Sequence, residues 1–247
     1  VWEPSRALLS MTGKTADSLS EIKTQALVVL TPERKTLSPY LKVLDTLLGG
    51  TVSRSIKQGD FSGSGGSHMW LPGAGGIQRV LLIGCGDPTK QTIALTKKIG
   101  ESIARTLVSS PAADALIVME GLTTKLSMPA ILMEQMSLQL TLAHYQYGQT
   151  LNKRRKPPRT LKRVAIAAGT LCTAANARRA IRAGTATGQG ANLTRELVNL
   201  PGNICTPKYL ASEARRLARS DQKLSVSVLN ERKMAELGMH SLLSVGN

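Results

Sequence analysis

Short apolar runs alternate with longer amphipathic stretches along the first two thirds of the chain. Runs rich in β-branched residues predict buried strands, at residues 26–30, 79–84, 113–119 and 163–168. Apolar positions at helical spacing predict helices, over residues 37–48, 89–107 and 128–145. Residues 59–76 are predicted to form a glycine- and serine-rich loop that Met69-Trp70-Leu71 interrupts. Because each predicted strand is apolar on both faces, we expect an α/β domain whose sheet is covered on both sides.

Small residues dominate after Gly169 and predict one long helix from Thr173 to Val198. Two glycines inside a helix cost about 1 kcal/mol each relative to alanine, so we expect another backbone to approach this helix closely. We interpret it as a packed helix connecting two domains. The small and apolar positions recur every three or four residues and form a stripe: Ala174, Ala177, Ile181, Gly184, Gly188, Ala191 and Val198. Three arginines lie off it: Arg178, Arg179 and Arg182.

The end of the sequence predicts the start of a second domain. The composition of residues 199–203 indicates a turn. Thr206-Pro207 supplies an N-cap and a first-turn proline for a helix from Lys208 to about Arg219. Residues 224–229 alternate as in a strand, and residues 231–237 predict a short helix that ends at Gly238.

Composition excludes several classes of protein. One Phe, two Trp and four Tyr in 247 residues argue against an aromatic platform that stacks nucleic-acid bases. Three scattered cysteines exclude a disulfide scaffold or a zinc ribbon. No apolar run approaches the ~18 residues that a membrane helix needs. Met11 is a candidate start of the protein, and residues 1–10 before it lack the long apolar region of a secretory signal. We therefore expect a soluble protein of a reducing compartment, without a membrane partner.

The net charge of +16 is concentrated in the second half of the chain. Residues 1–134 contain 14 Lys/Arg and 11 Asp/Glu, whereas residues 135–247 contain 18 and 5, with no acid between Glu134 and Glu196. This excess is either a solvated loop or a patch that binds the phosphate backbone of DNA or RNA or another acidic surface; without interleaved aromatics or a helix-turn-helix, the solvated loop is favoured. The basic residues that centre it are Lys153, Arg154, Arg155, Lys156, Arg159, Lys162 and Arg163.

Histidines, cysteines and glycine loops provide no catalytic constellation. His68, His144 and His240 lack metal-ligand spacing and are expected to be structural or solvated. We expect Cys85 to be a buried thiol and Cys205 to be structural. The glycine runs at residues 63–66 and 84–86 match neither a dinucleotide fingerprint nor a phosphate loop and predict turns.

Carboxylates weigh most against an active site within this chain. A two-metal or acid–base site needs several of them in one cleft. Five acids follow Glu134, and their spacing predicts solvated helix faces or turns: Glu196, Glu213, Asp221, Glu231 and Glu236. The residues by themselves therefore predict no catalytic or metal site.

The run from Leu193 to Leu210 closely resembles the bacterial type of the leucyl aminopeptidase (cytosol aminopeptidase) family, in which an N-x-P-x-N-x-x-x-P segment opens the catalytic domain after a long interdomain helix. Residues 233–246 resemble the next helix and glycine turn, and residues 79–86 resemble an amino-terminal-domain strand, R-x-L-L-I-G-C-G. The three matches occur in the expected order. The motif positions, whose role there looks structural, are Asn199, Pro201, Asn203 and Pro207.

This resemblance implies a fold and an activity. It implies a macro-like α/β amino-terminal domain with a mixed sheet over residues 1–168, an interdomain helix over 169–198, and the incomplete beginning of a catalytic α/β domain over 199–247. Family members are cytoplasmic, hexameric metallo-exopeptidases that use two divalent metals, Mn or Zn. They remove amino-terminal residues from peptides and favour leucine. Their metal ligands and N-T-D-A-E-G-R segment lie beyond residue 247, so no catalytic or metal-binding residue is carried over, and this chain alone is expected to be inactive.

Two other hypotheses stay open. In the first, the chain is not part of a longer enzyme but a truncated, catalytically inactive relative that acts as a nucleic-acid-binding or assembly protein through its basic face. Some bacterial family members also bind DNA. ADP-ribose binding through the macro-like fold rests on fold analogy alone.

Overall fold

The computed structural model describes residues 10–14, 19, 21–33, 36–87, 90, 92–119, 129–148 and 161–246. The chain divides into two compact units, Val1–Thr194 and Arg195–Asn247, which we call unit 1 and unit 2. The boundary falls within the last third of the long helix, so the domain limits given above stay a prediction.

The described residues form six strands and eight helices. The strands are β1 (Ser10–Lys14), β2 (Ala26–Thr31), β3 (His68–Pro72), β4 (Arg79–Gly84), β5 (Asp114–Val118) and β6 (Arg163–Ala167). The helices are α1 (Pro39–Leu47), α2 (Thr51–Gln58), α3 (Ile93–Val108), α4 (Pro129–His144), α5 (Ala174–Asn199), α6 (Pro207–Ser220), α7 (Glu231–Glu236) and α8 (His240–Gly246).

The strands of unit 1 form one mixed sheet in the order β1-β6-β5-β2-β4-β3. Neighbouring strands are parallel except β3 and β4, which pair antiparallel. At the centre, Val28 of β2 lies opposite Leu81 of β4 on one side and Ile117 of β5 on the other. The prediction of an α/β fold with a mixed sheet is confirmed.

Each face of the sheet has its own hydrophobic core, because successive strand residues point to opposite faces. Val28 and Ile83 pack on the face covered by α3 and α4, with Ile99 and Met136 among their neighbours. Val29 and Leu82 pack on the other face with residues of α1 such as Leu44. All six residues of β2 are buried, which is why its sequence is apolar without alternation.

The long helix α5 contains the glycines that the sequence singled out. A Cβ built on Gly184 would lie 2.1 Å from the carbonyl oxygen of Glu134, and one on Gly188 would lie 2.7 Å from the Cβ of Thr141. The expected close approach of another backbone is therefore confirmed, and the neighbour is α4. The stripe is less complete than predicted, since Ala174 and Val198 are exposed.

Other differences from the predicted elements have simple causes. Residues 224–229 form no strand, because the described residues offer them no strand to pair with. The predicted loop around Met69-Trp70-Leu71 contains strand β3, an edge strand in which Leu71 is buried and Met69 and Trp70 are half-buried against the core. Helix α2 and strand β1 were not predicted; α2 buries only two side chains, Val52 and Ser55.

Candidate functional site

The family-like motif forms the corner between α5 and α6 in unit 2. Asn199 is the last residue of α5, and the next residue, Leu200, is buried. The backbone N–H groups of Ile204 and Cys205 both donate to the carbonyl oxygen of Pro201, at 2.9 Å each. Pro201 and Asn203 are themselves exposed. These contacts agree with a structural role for the motif, which nonetheless stays a prediction.

Helix α6 begins as its sequence predicts. The Thr206 hydroxyl oxygen accepts a hydrogen bond from the backbone N–H of Tyr209 at 3.3 Å, and Pro207 occupies the first helical position. Proline fits there because its missing N–H would have had no partner within the helix. The N-cap and proline thus fix the start of α6 at the end of the motif.

Two carboxylates near this corner are buried, contrary to the prediction that the acids lie on solvated faces. Glu196 is 4% exposed and Glu213 is 8% exposed. Glu213 Oε2 accepts from Arg216 Nε at 2.9 Å and lies 2.8 Å from Arg216 Nη2. This ion pair within α6 makes burial of Glu213 tolerable, since a buried charge requires a partner. Asp221, Glu231 and Glu236 are exposed, as predicted.

Tyr209 lies near these two carboxylates, and their charges affect its pKa. Burial, reinforced by the negative groups Glu213, Cys205 and Glu196, raises the pKa of Tyr209, and Arg216 opposes that effect. We call Glu196, Cys205, Tyr209, Glu213 and Arg216 the corner cluster. Spacing alone could not have found it, because a helical carboxylate on a buried side has the same sequence signature as one on a solvated side.

The Cys and Glu side chains of the corner cluster do not form a metal-holding group. In the part of the chain that the structure describes, no group of three or more His, Cys, Asp or Glu side chains could hold a metal ion. A two-metal site needs several such ligands around each ion, so the described residues do not fit the metals implied by the family.

The glycine runs of unit 1 form turns that pack against each other. The N–H of Gly66 donates to the Gly84 carbonyl at 2.8 Å, the N–H of Gly84 donates to Ser67 at 2.8 Å, and the N–H of Gly86 donates to Gly63 at 2.9 Å. These amides are therefore already engaged by backbone carbonyls, which agrees with turns rather than a phosphate cradle.

Cysteine and histidine positions follow the sequence interpretation. Cys85 is fully buried, and burial raises the pKa of its thiol to about 12 although its backbone contact with Thr31 opposes the rise. His144 is buried with Nε2 2.9 Å from the carbonyl oxygen of Leu161, whereas His68 and His240 are exposed. Cys205 is half-buried, with its backbone N–H in the motif turn.

Part of the predicted basic patch can be located. Lys162 and Arg163, at the start of β6, are exposed, as are Arg178, Arg179 and Arg182 on α5. The other patch residues lie outside the described residues: Lys153, Arg154, Arg155, Lys156 and Arg159. Among the helices that the structure describes, none is long and apolar enough to cross a membrane.

Comparison with protein families places the whole arrangement in one class. The sequence model of the cytosol aminopeptidase family, N-terminal domain, matches residues 27–154, and that of the family's catalytic domain matches residues 192–247. The first match alone covers more than half of the chain. The chain therefore belongs to the cytosol aminopeptidase family, as the residues around Asn199 indicated.

Individual relatives agree with this assignment. The probable cytosol aminopeptidase of Nitrosococcus oceani is 36% identical over 236 residues, which cover 94% of this chain and 46% of that protein. The probable cytosol aminopeptidase of Thioalkalivibrio sulfidiphilus is 34% identical over 221 residues, covering 86% of this chain and 43% of the relative. The chain thus spans less than half the length of these curated relatives.

Solved structures share the fold. A mutant of tomato leucine aminopeptidase superposes with a TM-score of 0.77 at 24% identity, covering 96% of this chain and 47% of that one. The bottromycin maturation enzyme BotP, solved in complex with Mn, gives a TM-score of 0.62 at 21% identity over 87% of this chain and 40% of its own.

Proposed function

We propose that the intact protein is a metal-dependent leucyl aminopeptidase that removes amino-terminal residues from peptides. Its two divalent metals, Mn or Zn, are held by residues outside the present sequence, and its working form is a cytoplasmic homo-hexamer. The 247-residue chain alone is inactive in this proposal, because its metal ligands lie outside the present sequence.

One observation carries the proposal: both domains of a single peptidase family match this chain, in order, at residues 27–154 and 192–247. Relatives with about one third identity bear the name cytosol aminopeptidase. The Mn bound to the structural neighbour BotP supports the metal requirement. In this family such metals supply the nucleophilic water and polarise the scissile carbonyl.

The residues of this chain have a structural role in the proposed enzyme. The corner from Asn199 to Pro207 turns the end of α5 into α6 through backbone hydrogen bonds to Pro201 and the Thr206 N-cap. In the proposed enzyme, this corner is the start of the catalytic domain.

The experiment compares the protein isolated from its natural source with the 247-residue chain expressed by itself. The intact protein is expected to have a greater mass than the 247-residue chain and to hydrolyse leucine p-nitroanilide. A chelator should abolish this activity, and Mn²⁺ or Zn²⁺ should restore it. No activity in the metal-loaded intact protein would overturn the proposed function, whereas metal-dependent activity of the isolated 247-residue chain would overturn the placement of the site.

A second candidate function is nucleic-acid binding. The specific observation is the exposure of Arg178, Arg179 and Arg182 together on α5, in a stretch with no acid between Glu134 and Glu196. Each Lys or Arg contact with a phosphate adds about 0.9 to the slope of log affinity against log salt concentration.

The test replaces those three arginines with glutamine and measures duplex DNA binding between about 50 and 200 mM salt. The matched control replaces Lys97, Lys98 and Arg105, three exposed cations of α3, with glutamine. Binding through α5 predicts a slope reduced by up to about 3 in the first variant and less change in the control. Absent or salt-insensitive binding would reject this second function.

A further inference from the structure

Strand β3 forms one edge of the sheet of unit 1, and none of the described strands pairs with its outer side. It pairs with β4 one residue to one residue over His68–Pro72, without a bulge. Native proteins block such edges with charges, bulges or prolines, because an open edge accepts a further strand. Residues 61–78 contain no Asp, Glu, Lys or Arg, and a proline occupies only the last position of β3. The outer side of β3 is therefore open to another strand.

The hydrogen bonds around β3 identify the backbone groups that point outward. The N–H of Gly84 donates to the carbonyl of Ser67 at 2.8 Å, and the N–H of Gly73 donates to the carbonyl of Gln78 at 3.2 Å. Both pairs continue the antiparallel register of β3 with β4, in which opposite residues alternate between bonded and non-bonded pairs. The odd-numbered residues of β3 therefore bond to β4, and the even-numbered ones direct their backbone groups away from it. These outward groups, which we call the β3 edge, are the N–H and C=O of His68 and Trp70 and the C=O of Pro72.

The β3 edge is complementary to a second copy of itself. In an antiparallel pair with a two-fold axis at Trp70, the Trp70 N–H donates to the Trp70 carbonyl of the second copy. The His68 N–H donates to the Pro72 carbonyl of the second copy, and the symmetry makes each bond twice. Both outward donors thus find an acceptor. The N–H that Pro72 lacks falls at the two ends of the ladder, beside exposed His68, where water reaches the unpaired carbonyl.

The side chains and charges agree with this pairing. Trp70 is half-buried on the sheet face that α3 and α4 cover, and the two-fold axis places it directly opposite Trp70 of the second copy. Aromatic side chains in directly opposite positions stabilise a strand pair, whereas like charges there destabilise it. Each copy carries a net charge of +16, so the uncharged stretch at residues 61–78 allows two copies to meet without opposed cations.

We propose that β3 pairs antiparallel with β3 of a second copy of this chain, so that two sheets join across a two-fold axis at Trp70. An unrelated extended peptide can use the same main-chain bonds. A second copy is favoured over it because its proline falls at the ends of the ladder and because one contact closes the open edges of both molecules. The inference goes beyond the proposed function, since neither the activity nor the metals enter into it.

Amide-resolved hydrogen exchange of the intact protein tests the pairing. The His68 and Trp70 amides should exchange about 100-fold more slowly than those of an unstructured peptide. The Met69 and Leu71 amides bond to β4 with or without a second copy, so their protection is the internal control for a folded strand. Exchange of His68 and Trp70 at the rate of an unstructured peptide would overturn the proposal. Protection in a protein that light scattering shows to be a monomer would also overturn it, because the same chain or a bound peptide would then cover the edge.

Two variants at position 68 make the test specific to the edge. His68→Pro removes one outward N–H and no bond to β4, so the protection of the Trp70 amide should fall about 10-fold or more as two bonds between the copies are lost. His68→Ala is the matched control: it removes the imidazole, keeps the N–H and should leave the protection of Trp70 within about twofold. Equal protection of Trp70 in the two variants would overturn the proposal.

A third variant adds a bond and does not depend on how His68→Pro folds. Pro72→Ala supplies an outward N–H opposite the His68 carbonyl of the second copy. The new amide at position 72 should be protected about 10-fold or more relative to an unstructured peptide, and the Trp70 amide should be protected at least as well as before. An unprotected amide at position 72, with Met69 and Leu71 still protected, would overturn the proposal.

Discussion

Gly184 of α5 lies directly against the backbone of α4, so that a Cβ at this position would come within 2.1 Å of the carbonyl oxygen of Glu134. One turn later, Gly188 lies against Thr141, and a further turn on, the Asn192 side-chain amide donates to the Thr141 carbonyl at 2.9 Å. One face of α5 thus contacts α4 over two turns. The glycines permit this close packing because they have no side chain at the contact.

Gly184→Ala should destabilise unit 1 by about 2 kcal/mol, because the methyl group meets backbone that cannot move aside cheaply. Gly190→Ala is the matched control: it lies in the same helix with nothing within 4 Å of a built Cβ, so it should gain about 0.5–1 kcal/mol from helix propensity alone. Urea unfolding midpoints measure both. Equal effects of the two substitutions would contradict the close contact.

The sequence predicted that α5 has a close neighbour, but not that this neighbour is α4. Internal glycines carry a cost in a helix, so their presence at four-residue spacing predicted a close neighbour. It could not predict which element that neighbour is, because many helices are long enough to cover the stripe. Strands β2, β4, β5 and β6 were predictable for a similar reason, since burial on both faces makes them apolar without interruption.

Cys85 should resist thiol reagents in the folded protein. It is fully buried, and reaction requires an accessible thiolate. We expect Ellman's reagent to label Cys172 and Cys205, which are half-buried, and to label Cys85 only after unfolding. Peptide mapping of the labelled sites checks this, and rapid labelling of Cys85 under native conditions would contradict its burial.

The Cys85 thiol should also make stability fall at alkaline pH. Its pKa is raised from 9.0 to about 12 by burial, so the unfolded chain loses this proton first. Between these values the folded state binds more protons, and stability therefore decreases as pH rises, by up to about 1.4 kcal/mol per pH unit. Cys85→Ala should flatten this part of the unfolding free-energy profile, and identical slopes in the two proteins would contradict the shift.

Unit 2 shows where sequence reasoning stops. Residues 224–229 have the alternating pattern of a strand but form none, because a strand needs a partner and the pattern alone does not provide one. Glu196 and Glu213 have the spacing of solvated positions, but both are buried, and Glu213 pairs with Arg216. Burial depends on which elements meet at the corner, which is a property of the fold. By contrast, the Thr206 N-cap was predictable because capping is local.

Glu213→Gln should weaken α6 by about 2 kcal/mol, because it removes the carboxylate that pairs with the Arg216 guanidinium at a partly buried position. Glu236→Gln is the matched control. Glu236 also pairs with a residue three positions away, Lys233, but both side chains are about half exposed, so its loss should cost no more than about 0.5 kcal/mol. Hydrogen exchange of residues 207–220 and 231–236 measures the two effects separately.

Glu213→Gln should also lower the pKa of Tyr209. Burial raises that pKa most and the Glu213 carboxylate raises it further, so a neutral amide at position 213 removes one cause and leaves burial, Cys205 and Glu196. Absorbance at the tyrosinate wavelength during an alkaline titration, with Tyr209→Phe to assign the signal, measures the shift. Glu236→Gln should leave the titration unchanged, since Glu236 is not among the groups that act on Tyr209. An unchanged Tyr209 titration in Glu213→Gln would mean that the Glu213 carboxylate does not act on Tyr209.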